Sequence, residues 1–309
     1  MRVLVVASYN KGCFAPFIIE QADALSALGC EVDCFGLRGK GVMGYLGNRS
    51  ELKRKIRDFH PDVVHAHYGL SGLLANLQRK IPVVVTYHGS DINDTQVRRF
   101  SRKAMRLSAY DIFVSRKTLE IAHPKKKFAL LPCGIDLSDL QMTEKSTARQ
   151  KMQLALDKRY ILFSGAFDNE VKNAPLAHQS ISMMRDESVE LLELKGYSRE
   201  EVILLMCAVD AFLMTSLTEG SPQVVKEALA CGCPIVSVDV GDVKERVEGV
   251  EGCYVAETRE PGELSGLLKK AIAFEGKTLG RDKLLADGLD NRVVAERLMG
   301  IYSSVCRKK

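Results

Sequence analysis

The stretch that most constrains the fold is residues 213–237, LMTSLTEGSPQVVKEALACGCPIVS. Its apolar first residues and the run Ile235–Val238 predict two buried strands. Between them, Ser221 is a good N-cap, and Pro222 suits the first helical position, where its missing N–H costs nothing. Gly232 can adopt the left-handed conformation that ends a helix. The stretch therefore predicts a βαβ unit of a parallel sheet.

The start of the predicted helix favours negative charge. The backbone amides of Gly220 and Ser221 point outward, and the helix dipole adds to their attraction for an anion. Glu219 in the loop and Glu227 in the second turn flank this position. Carboxylates are poor phosphate ligands but good acceptors for hydroxyl groups. Together these groups suit a ligand with sugar hydroxyls, a diphosphate and a ribose, which is a sugar nucleotide.

This stretch also resembles a known family signature. Thr-Ser-x-x-Glu-Gly-Ser-Pro, then Glu-Ala, then Pro-Ile-Val-Ser is similar to the Glu-x7-Glu motif of retaining, family-4 (group 1) glycosyltransferases. The resemblance implies an α/β chain of GT-B architecture, in which two Rossmann-like, doubly wound parallel-sheet domains face a cleft. An ordinary capped βαβ unit with two solvated glutamates is the alternative interpretation.

Length and resemblance together predict the domain organisation. A chain of 309 residues suits two domains of ordinary size. We expect an N-terminal acceptor domain at 1–140 and a C-terminal sugar-nucleotide donor domain at 141–289, with a polar linker near 137–158. By resemblance, a terminal helix at 290–309 crosses back onto the first domain. The region 172–196 holds one predicted strand where the family commonly has two, so the second domain is expected to be a reduced version.

The first residues begin a parallel sheet but carry no dinucleotide fingerprint. Residues 2–8 and 31–35 predict strands, with a helix at about 15–28 between them. The Gly-x-Gly-x-x-Gly turn of nicotinamide-binding domains is absent. Glycines 41, 44 and 47 follow the second strand and predict a loop. The pattern counts against a nicotinamide-dependent enzyme.

A second matching phrase, YHGSD at 87–91, follows the strand predicted at 83–86. Ligands bind at the carboxyl ends of such strands in open α/β sheets. The phrase resembles the acceptor-domain motif of the family. The resemblance implies that His88 lies near the donor sugar and the reacting centre, that Gly89 permits close backbone approach, and that Asp91 belongs to the same site.

Other residues of the first domain are assigned with alternatives. By resemblance, Lys11 and Gly12 face the cleft from the first loop, and a solvated Lys11 is equally consistent with the sequence. His65 and His67 end another predicted strand, where histidines are more often packing residues than ligands.

The predicted phosphate loop of the second domain departs from the family. Lys172 precedes Asn173 as the family pattern requires, but Ala166 stands where an Arg is expected. Cations that could replace that Arg are Arg199, Lys195 and Lys11. Tyr197 lies in a turn that, by resemblance, is beside the nucleotide base. The turn leads into a helix with Ser198 as N-cap and Glu201 at the third position.

Charge and composition restrict the partners. The chain has a net charge of +5, but residues 1–136 carry +9 and the remainder −4. Residues 98–127 are strongly basic, and this basic surface of the N-terminal domain is either a solvated face or a docking surface for anionic lipid. Nucleic acid is disfavoured, because no zinc-finger or aromatic-interleaved pattern is present. The nine cysteines are scattered, which favours free thiols in a reducing cytoplasm.

These observations predict a retaining glycosyltransferase that uses a nucleotide-diphosphate sugar and a glycan or lipid-linked acceptor. His88 and Glu219 are its predicted catalytic residues. Lys172, Tyr197, Gly220, Ser221, Pro222 and Glu227 are its predicted donor-binding residues. No cofactor or metal is expected, since no Asp-x-Asp motif has a ligand context. The expected location is the cytoplasm or the inner face of the cell membrane, as no apolar run approaches the roughly 20 residues of a membrane helix.

Two alternatives of function remain open at this point. Within the fold, the chain could be a sugar-nucleotide epimerase or a phosphorylase. Outside enzymology, it could be a non-catalytic sugar-nucleotide-binding or membrane-docking protein, which the missing Arg at Ala166 and the short second domain keep open. The sugar, base, acceptor and linkage depend on loop shapes, which motifs do not reveal.

Overall fold

The computed structural model describes residues 1–138, 140 and 142–306 and divides the chain into two compact α/β units. The first unit is Met1–Asp136 together with the segment that begins at Leu289, and the second is Leu137–Gly288. Residue 141, where the second domain is predicted to begin, and residues 307–309, at the end of the predicted crossing helix, lie outside the described residues.

The first unit is built on a six-stranded sheet in the order β2-β1-β3-β4-β5-β6, with every neighbouring pair parallel. Its strands are β1 Arg2–Ser8, β2 Glu31–Leu37, β3 Val63–His67, β4 Val83–Tyr87, β5 Tyr110–Phe113 and β6 Phe128–Leu130. Its helices before the second unit are α1 Pro16–Ala27, α2 Gly41–Leu46, α3 Arg49–Phe59, α4 Gly69–Asn76, α5 Ser90–Asn93, α6 Thr95–Leu107 and α7 Arg116–Ala122.

Both faces of this sheet are buried. Leu4 and Val64 belong to one core cluster, and their neighbours Val3 and Val63 belong to the cluster on the other face. Successive side chains of a strand point to opposite faces, so a strand that is covered on both sides must be apolar throughout. This explains why the first strand is a continuous apolar run rather than an alternating one.

The second unit contains a five-stranded parallel sheet in the order β11-β10-β9-β7-β8. Its strands are β7 Arg159–Phe163, β8 Val189–Glu193, β9 Ala211–Met214, β10 Ile235–Val238 and β11 Cys253–Ala256. Its helices are α8 Lys145–Lys151, α9 Ala174–Ser182, α10 Arg199–Ala208, α11 Gln223–Ala230, α12 Val243–Val247, α13 Pro261–Ile272 and α14 Gly280–Ala286. Between β7 and α9 lies a short 3-10 turn, Glu170–Lys172.

The last helix, α15 (Asn291–Cys306), is part of the first unit. Its Leu298 and Tyr302 are buried in the same core cluster as Val3 of the first strand. Just before this helix, Asp290 forms an isolated parallel β-bridge with Ile135. No helix within the described ranges is long and apolar enough to cross a membrane.

Three local predictions are wrong. The stretch 137–158, predicted as a linker, contains α8, whose Arg149 is buried. Gly41 and Gly44, predicted to lie in a loop, belong to α2 (Gly41–Leu46), and the Asn48 side-chain amide donates to the carbonyl of Gly44. Helix α11 begins at Gln223, since Pro222 has the extended conformation of an N-cap (φ −68°, ψ 121°). Helix α14 had no sequence prediction.

Candidate functional site

In both sheets the strand order reverses beside the first strand of the unit. β1 lies between β2 and β3, and β7 lies between β8 and β9. Open α/β sheets bind ligands outside the carboxyl ends of the strands at such a switch point. In the second unit these positions are the loops after β7 and β9, which carry Lys172 and Glu219.

The structure brings Lys172 and Glu219 together across the switch point of the second sheet. Lys172 Nζ lies 2.7 Å from Glu219 Oε1, and the side chains are 19% and 17% exposed. A Cβ at Gly165 would lie only 2.9 Å from Lys172 Cγ, so the glycine makes room for the lysine stem. Thr215 Oγ1 donates to the carbonyls of Lys172 and Asn173, at 2.9 Å each. The two loops are therefore fixed to each other, with a cation and a carboxylate at their ends.

The second predicted carboxylate, Glu227, also has a cationic partner. Arg199 Nη1 donates to Glu227 Oε1 at 2.8 Å. Arg199 begins α10, and the predicted capping box of Ser198 and Glu201 is confirmed. Tyr197 precedes this box and is 40% exposed. The sequence suggested Arg199 as a replacement for the Arg that is missing at Ala166. In the structure Arg199 is paired with Glu227 and neutralises that carboxylate.

Lys195, another proposed replacement for that Arg, is also paired with an acid. Its Nζ lies 2.6 Å from Asp168 Oδ2, on the surface. Lys11, the third, belongs to the first unit. Within the second unit, Lys172 contacts Glu219 directly, and Arg259 also reaches this loop, where it donates to the carbonyls of Thr215 and Ser216.

The sequence predicts that the hydroxyl of Ser221 caps α11. In the structure it does not, because the hydroxyl bonds elsewhere. Ser221 Oγ donates to Asp242 Oδ2 at 2.8 Å, and the carbonyl of Gly220 accepts from the backbone amide of Asp242 at 3.1 Å. The loop after β10 therefore holds the turn that precedes α11. This contact was missed, because Asp242 is 21 residues away and only the pairing of β9 with β10 brings it near.

Three buried polar atoms at this edge have no hydrogen-bond partner within the described ranges. They are Ser164 Oγ, Ser216 Oγ and Asp242 Oδ1. They follow β7, β9 and β10, which are adjacent strands. Unsatisfied buried groups are uncommon and need an explanation. This edge thus has unused hydrogen-bonding capacity beside the Lys172–Glu219 pair. Among the described residues, no group of three or more His, Cys, Asp or Glu side chains could hold a metal ion.

The first unit has a cavity of about 720 Å³ at its own switch point. Of the residues predicted for this unit's site, Lys11 and Asp91 line it. Its polar walls include Asn10, and its apolar walls include Phe14 and Leu70. The mixture suits a ligand with both polar and apolar parts.

Asp91 has a structural task in this wall. Its carboxylate accepts hydrogen bonds from the backbone amides of Gly69, His88 and Gly89, at 2.9, 3.0 and 3.1 Å. Burial raises the pKa of Asp91 to about 6, and these amide donors oppose that rise. Gly89 has a φ of 110°, which a residue with a side chain rarely adopts. Asp91 thus fixes the backbone of the predicted acceptor motif.

His88 is half-buried in a stack of rings. Its Nε2 lies 3.0 Å from His67 Nδ1, and its Nδ1 lies 3.9 Å from Cys133 Sγ. The Tyr68 ring lies 4.5 Å from its centroid. Both imidazole nitrogens therefore face protein atoms.

Gly12, in the first loop, has a φ of 77° and no atom within 4 Å of the position of an added Cβ.

The other two histidines of this region are fully buried. His65 contacts Thr86 Oγ1 at 2.8 Å and Tyr302 OH at 2.7 Å, so it is a packing residue, as predicted. His67 is buried too, but it is also the partner of His88, which the sequence did not indicate. The sequence did contain a clue to this contact. His67 ends β3 and His88 directly follows β4, and these two strands are neighbours in the sheet.

Two family models match the chain. The model "Glycosyltransferase Family 4" matches residues 36–139, and the model "Glycosyl transferases group 1" matches residues 185–273. The two matches together cover more than half of the chain. The chain belongs to the family 4/group 1 glycosyltransferases. The matches contain the His88 motif and the Glu219–Glu227 unit, respectively.

Relatives of this chain include two proteins named for polysaccharide synthesis. TuaC of Bacillus subtilis, a candidate teichuronic acid biosynthesis glycosyltransferase, is 30% identical over 218 residues, which cover 61% of this chain and 56% of TuaC. AmsK of Erwinia amylovora, an amylovoran biosynthesis glycosyltransferase, is 23% identical over 251 residues, covering 69% and 61%. The chain therefore spans less than two thirds of the length of these relatives.

Solved structures show the same fold. Sucrose-phosphate synthase of Thermosynechococcus elongatus superposes with a TM-score of 0.83 at 15% identity and covers all of both chains. Anabaena HepE in complex with UDP and glucose gives 0.77 at 18% identity, covering 98% of this chain and all of HepE. The predicted fold class, two Rossmann-like parallel-sheet domains of the GT-B type, is confirmed.

The buried His67 predicts an acid-sensitive contribution to the stability of the protein. Burial lowers its pKa from 6.5 to about 3. The unfolded chain therefore binds a proton below pH 6.5 that the folded chain refuses until about pH 3. Stability from this residue is complete above pH 6.5 and is lost as the pH falls towards 3. At pH 4.5 the loss is about 3 kcal/mol.

A His67→Phe variant isolates this effect. Denaturant unfolding between pH 7 and 4.5 should show a smaller loss of stability in the variant than in the wild type. Asp91 contributes with the opposite sign, since its raised pKa stabilises the folded state below pH 3.8 and that stability is lost as the pH rises through 6. The comparison between the two proteins cancels that contribution. Parallel profiles would contradict the prediction.

Proposed function

We propose that this chain transfers a sugar, with retention of configuration, from a nucleotide-diphosphate sugar to a hydroxyl of a glycan or lipid-linked acceptor. The observation that carries the proposal is the Lys172–Glu219 pair, 2.7 Å apart at the switch point of the second sheet. A cation beside the Gly220 turn suits a diphosphate, and a carboxylate beside the cation suits sugar hydroxyls.

Each donor-site residue receives a role from its place. Lys172 and the amides of the Gly220–Ser221 turn bind the diphosphate and stabilise the charge that develops on the leaving nucleotide. Glu219 accepts hydrogen bonds from the sugar, and Glu227 from the ribose. Arg199, which neutralises Glu227, limits the repulsion between that carboxylate and the diphosphate. Tyr197 lies in the turn that leads into α10, and the nucleotide base is proposed to bind beside this turn.

The acceptor is assigned to the cavity of the first unit. A volume of about 720 Å³ is within the range of small-molecule sites. Asp91 accepts three backbone N–H bonds, which makes its carboxylate a poor nucleophile for a double displacement. This favours front-face attack over a covalent intermediate. His88 is proposed to act near the reacting centre through its ring or its backbone.

The relatives support a place in polysaccharide synthesis. TuaC and AmsK are named as glycosyltransferases of teichuronic acid and of amylovoran biosynthesis. Sugar nucleotides are the donors that such a donor site fits. We therefore assign the chain to the synthesis of a surface polysaccharide or glycoconjugate in the cytoplasm, with no metal or other cofactor.

The test is a thermal-shift screen against UDP, GDP, ADP and CDP and their common sugar conjugates, followed by a donor-hydrolysis assay. A ligand at one hundred times its Kd stabilises the folded state by about 2.7 kcal/mol, which the screen detects readily. We expect one nucleotide family to bind and its sugar conjugate to be hydrolysed slowly. Binding without hydrolysis would favour a non-catalytic protein. No shift with any of them would contradict the proposal.

A basic surface on the first unit supports a second partner, an anionic membrane. Exposed cations lie on α6 and before β6, and they are Arg99, Arg102, Lys103, Arg106, Lys125, Lys126 and Lys127. Four of them line a depression of about 310 Å³ that has no acidic residue in its wall. Leu107 and Phe128, next to them in the chain, are 42% and 43% exposed. Cations beside exposed apolar groups suit a lipid surface with anionic head groups.

This surface makes a prediction about vesicles. At low salt the protein should bind vesicles that contain phosphatidylserine, and high salt should release it. Replacing Arg102, Arg106, Lys125 and Lys126 by Gln should weaken binding by about 100-fold or more, since each charge contributes about 1 kcal/mol. The matched control replaces four basic residues of α3, Arg49, Lys53, Arg54 and Arg57, by Gln. Equal losses in both variants would leave only a non-specific charge effect.

A further inference from the structure

We propose that Asp242 is a positioning residue for donor binding, which holds the Gly220–Ser221 turn in the orientation that the diphosphate requires. The inference rests on the proposed function, because the turn is a donor site only if the chain binds a sugar nucleotide. Asp242 lies after β10 and reaches the turn from the neighbouring strand.

Two hydrogen bonds from one residue hold the turn. The Asp242 carboxylate accepts from Ser221 Oγ at 2.8 Å, and the Asp242 backbone amide donates to the Gly220 carbonyl at 3.1 Å. Gly241 has a φ of 56°, and a Cβ there would lie 2.5 Å from the Gly220 oxygen. The backbones of the loop after β10 and of the Gly220–Ser221 turn are therefore in direct contact, with no room for a side chain at Gly241. The turn is held on its carbonyl and its side chain, and its backbone amides take no part in these two bonds.

The carboxylate that holds the turn is buried among cations. Asp242 is 2% exposed and Lys226, on α11, is fully buried. Arg246 Nε lies 3.2 Å from Asp242 Oδ2. Burial raises the pKa of Asp242, and the charges of Lys226 and Arg246 oppose that rise. A buried cation such as Lys226 needs a nearby counter-charge, and Arg246 is a second cation beside Asp242, so the carboxylate interacts with α11 and α12 as well as with the turn.

The same contacts explain how an acid can stand so close to a diphosphate site. Lys226 Nζ donates to Gln223 Oε1 at 2.6 Å, in the first turn of α11. Lys226 and Arg246 offset part of the Asp242 charge, although Arg246 is shared with Asp287 and Glu245, and this limits the repulsion of a ligand phosphate. The Ser221 hydroxyl already donates its hydrogen bond to Asp242, so the turn is proposed to offer backbone amides, not this hydroxyl, as donors to the diphosphate.

The test measures the Kd of UDP, GDP, ADP and CDP by calorimetry for the wild type, Ser221→Ala, Asp242→Ala and the double variant. Each single variant should weaken binding of the nucleotide that the wild type binds by about tenfold. The double variant should be no weaker than the singles, because both remove the same bond. Ser221→Thr, which keeps the hydroxyl, should restore the affinity. Amide hydrogen exchange of residues 215–227 in the ligand-free variants should be faster than in the wild type.

The outcomes separate this inference from the proposed function. If the wild type binds none of the four nucleotides, the proposed function fails and the donor role of Asp242 with it. If the wild type binds one of them and Ser221→Ala keeps its affinity, the positioning role alone is overturned. Multiplicative losses in the double variant would instead indicate two separate ligand contacts. A lower Tm with unchanged Kd would show a merely structural contact. Ser221→Ala keeps the buried charges, so the test stands even if Asp242→Ala does not fold.

Discussion

Lys172→Met is expected to reduce kcat/KM for sugar transfer by about 10²–10³-fold, which corresponds to about 3–4 kcal/mol of transition-state stabilisation. Methionine keeps the apolar stem that packs against Gly165 but removes the charge. The loss has two physical sources. The diphosphate loses its cation, and Glu219, which is only 17% exposed, loses the lysine that offsets its negative charge.

A double-mutant cycle with Glu219→Gln separates these sources. Adding Glu219→Gln to Lys172→Met removes the repulsion, so the Kd for the nucleoside diphosphate should partly recover. Turnover should not recover, because Glu219 is also the proposed acceptor for the sugar hydroxyls. Steady-state kinetics and calorimetry measure the two effects separately.

The chain offers a matched control for this variant. Lys158 and Glu190 form a similar ion pair, 2.9 Å apart, and Lys158 directly precedes β7, at the opposite, amino-terminal edge of the same sheet. Lys158→Met should keep wild-type kinetics. A Lys172→Met enzyme that stays within about threefold of the wild type would remove Lys172 from the donor site, since threefold is well under 1 kcal/mol.

Asp210→Ala is expected to destabilise the protein by about 3–5 kcal/mol, the usual cost of leaving a buried charge without its partner. The Asp210 side chain is 1% exposed, and its Oδ2 accepts from Arg149 Nη2 at 2.8 Å and from the Tyr160 amide at 2.7 Å. Lys145 and Arg159 contact its other oxygen. The variant leaves Arg149, which is 5% exposed, without its carboxylate.

Urea unfolding measures this loss. Glu190→Ala, which breaks the exposed Lys158–Glu190 pair, should cost about 1 kcal/mol or less. Adding Arg149→Met to Asp210→Ala should recover part of the stability, because an apolar side chain has no charge to desolvate. Asp210 lies at the amino-terminal edge of the sheet, so nucleotide binding by the folded variant should be unchanged. A destabilisation below 1 kcal/mol would contradict the prediction.

Some features of this fold follow from short stretches of sequence. The apolar runs of β1 and β10 predicted buried parallel strands, because a strand that is covered on both faces has no position for a polar side chain. The capping box of Ser198 and Glu201 was predicted, because both of its hydrogen bonds join residues three apart. Gly232, predicted to end α11, has the left-handed φ of 69°.

Other features could not be read from local pattern. Ser221 has the composition of an N-cap, but its hydroxyl bonds to Asp242 instead. The stretch 137–158 has the polar composition of a linker, yet Arg149 in α8 is buried against Asp210, 61 residues away. In both cases the side chain bonds to a carboxylate that is distant in sequence, not to a local partner. Which loops become neighbours depends on the order of strands in the sheet.

The candidate site divides in the same way. The sequence by itself determined which residue types are present, namely Lys172, the Glu219–Glu227 unit and His88, together with the strand ends that carry them. Only the tertiary structure decided how they are paired: Lys172 with Glu219, Glu227 with Arg199, and His88 with His67. The reason is physical. Strand and helix signals depend on residues a few positions apart, whereas these pairs join residues 47, 28 and 21 positions apart and exist only because parallel strands place their carboxyl ends at one edge.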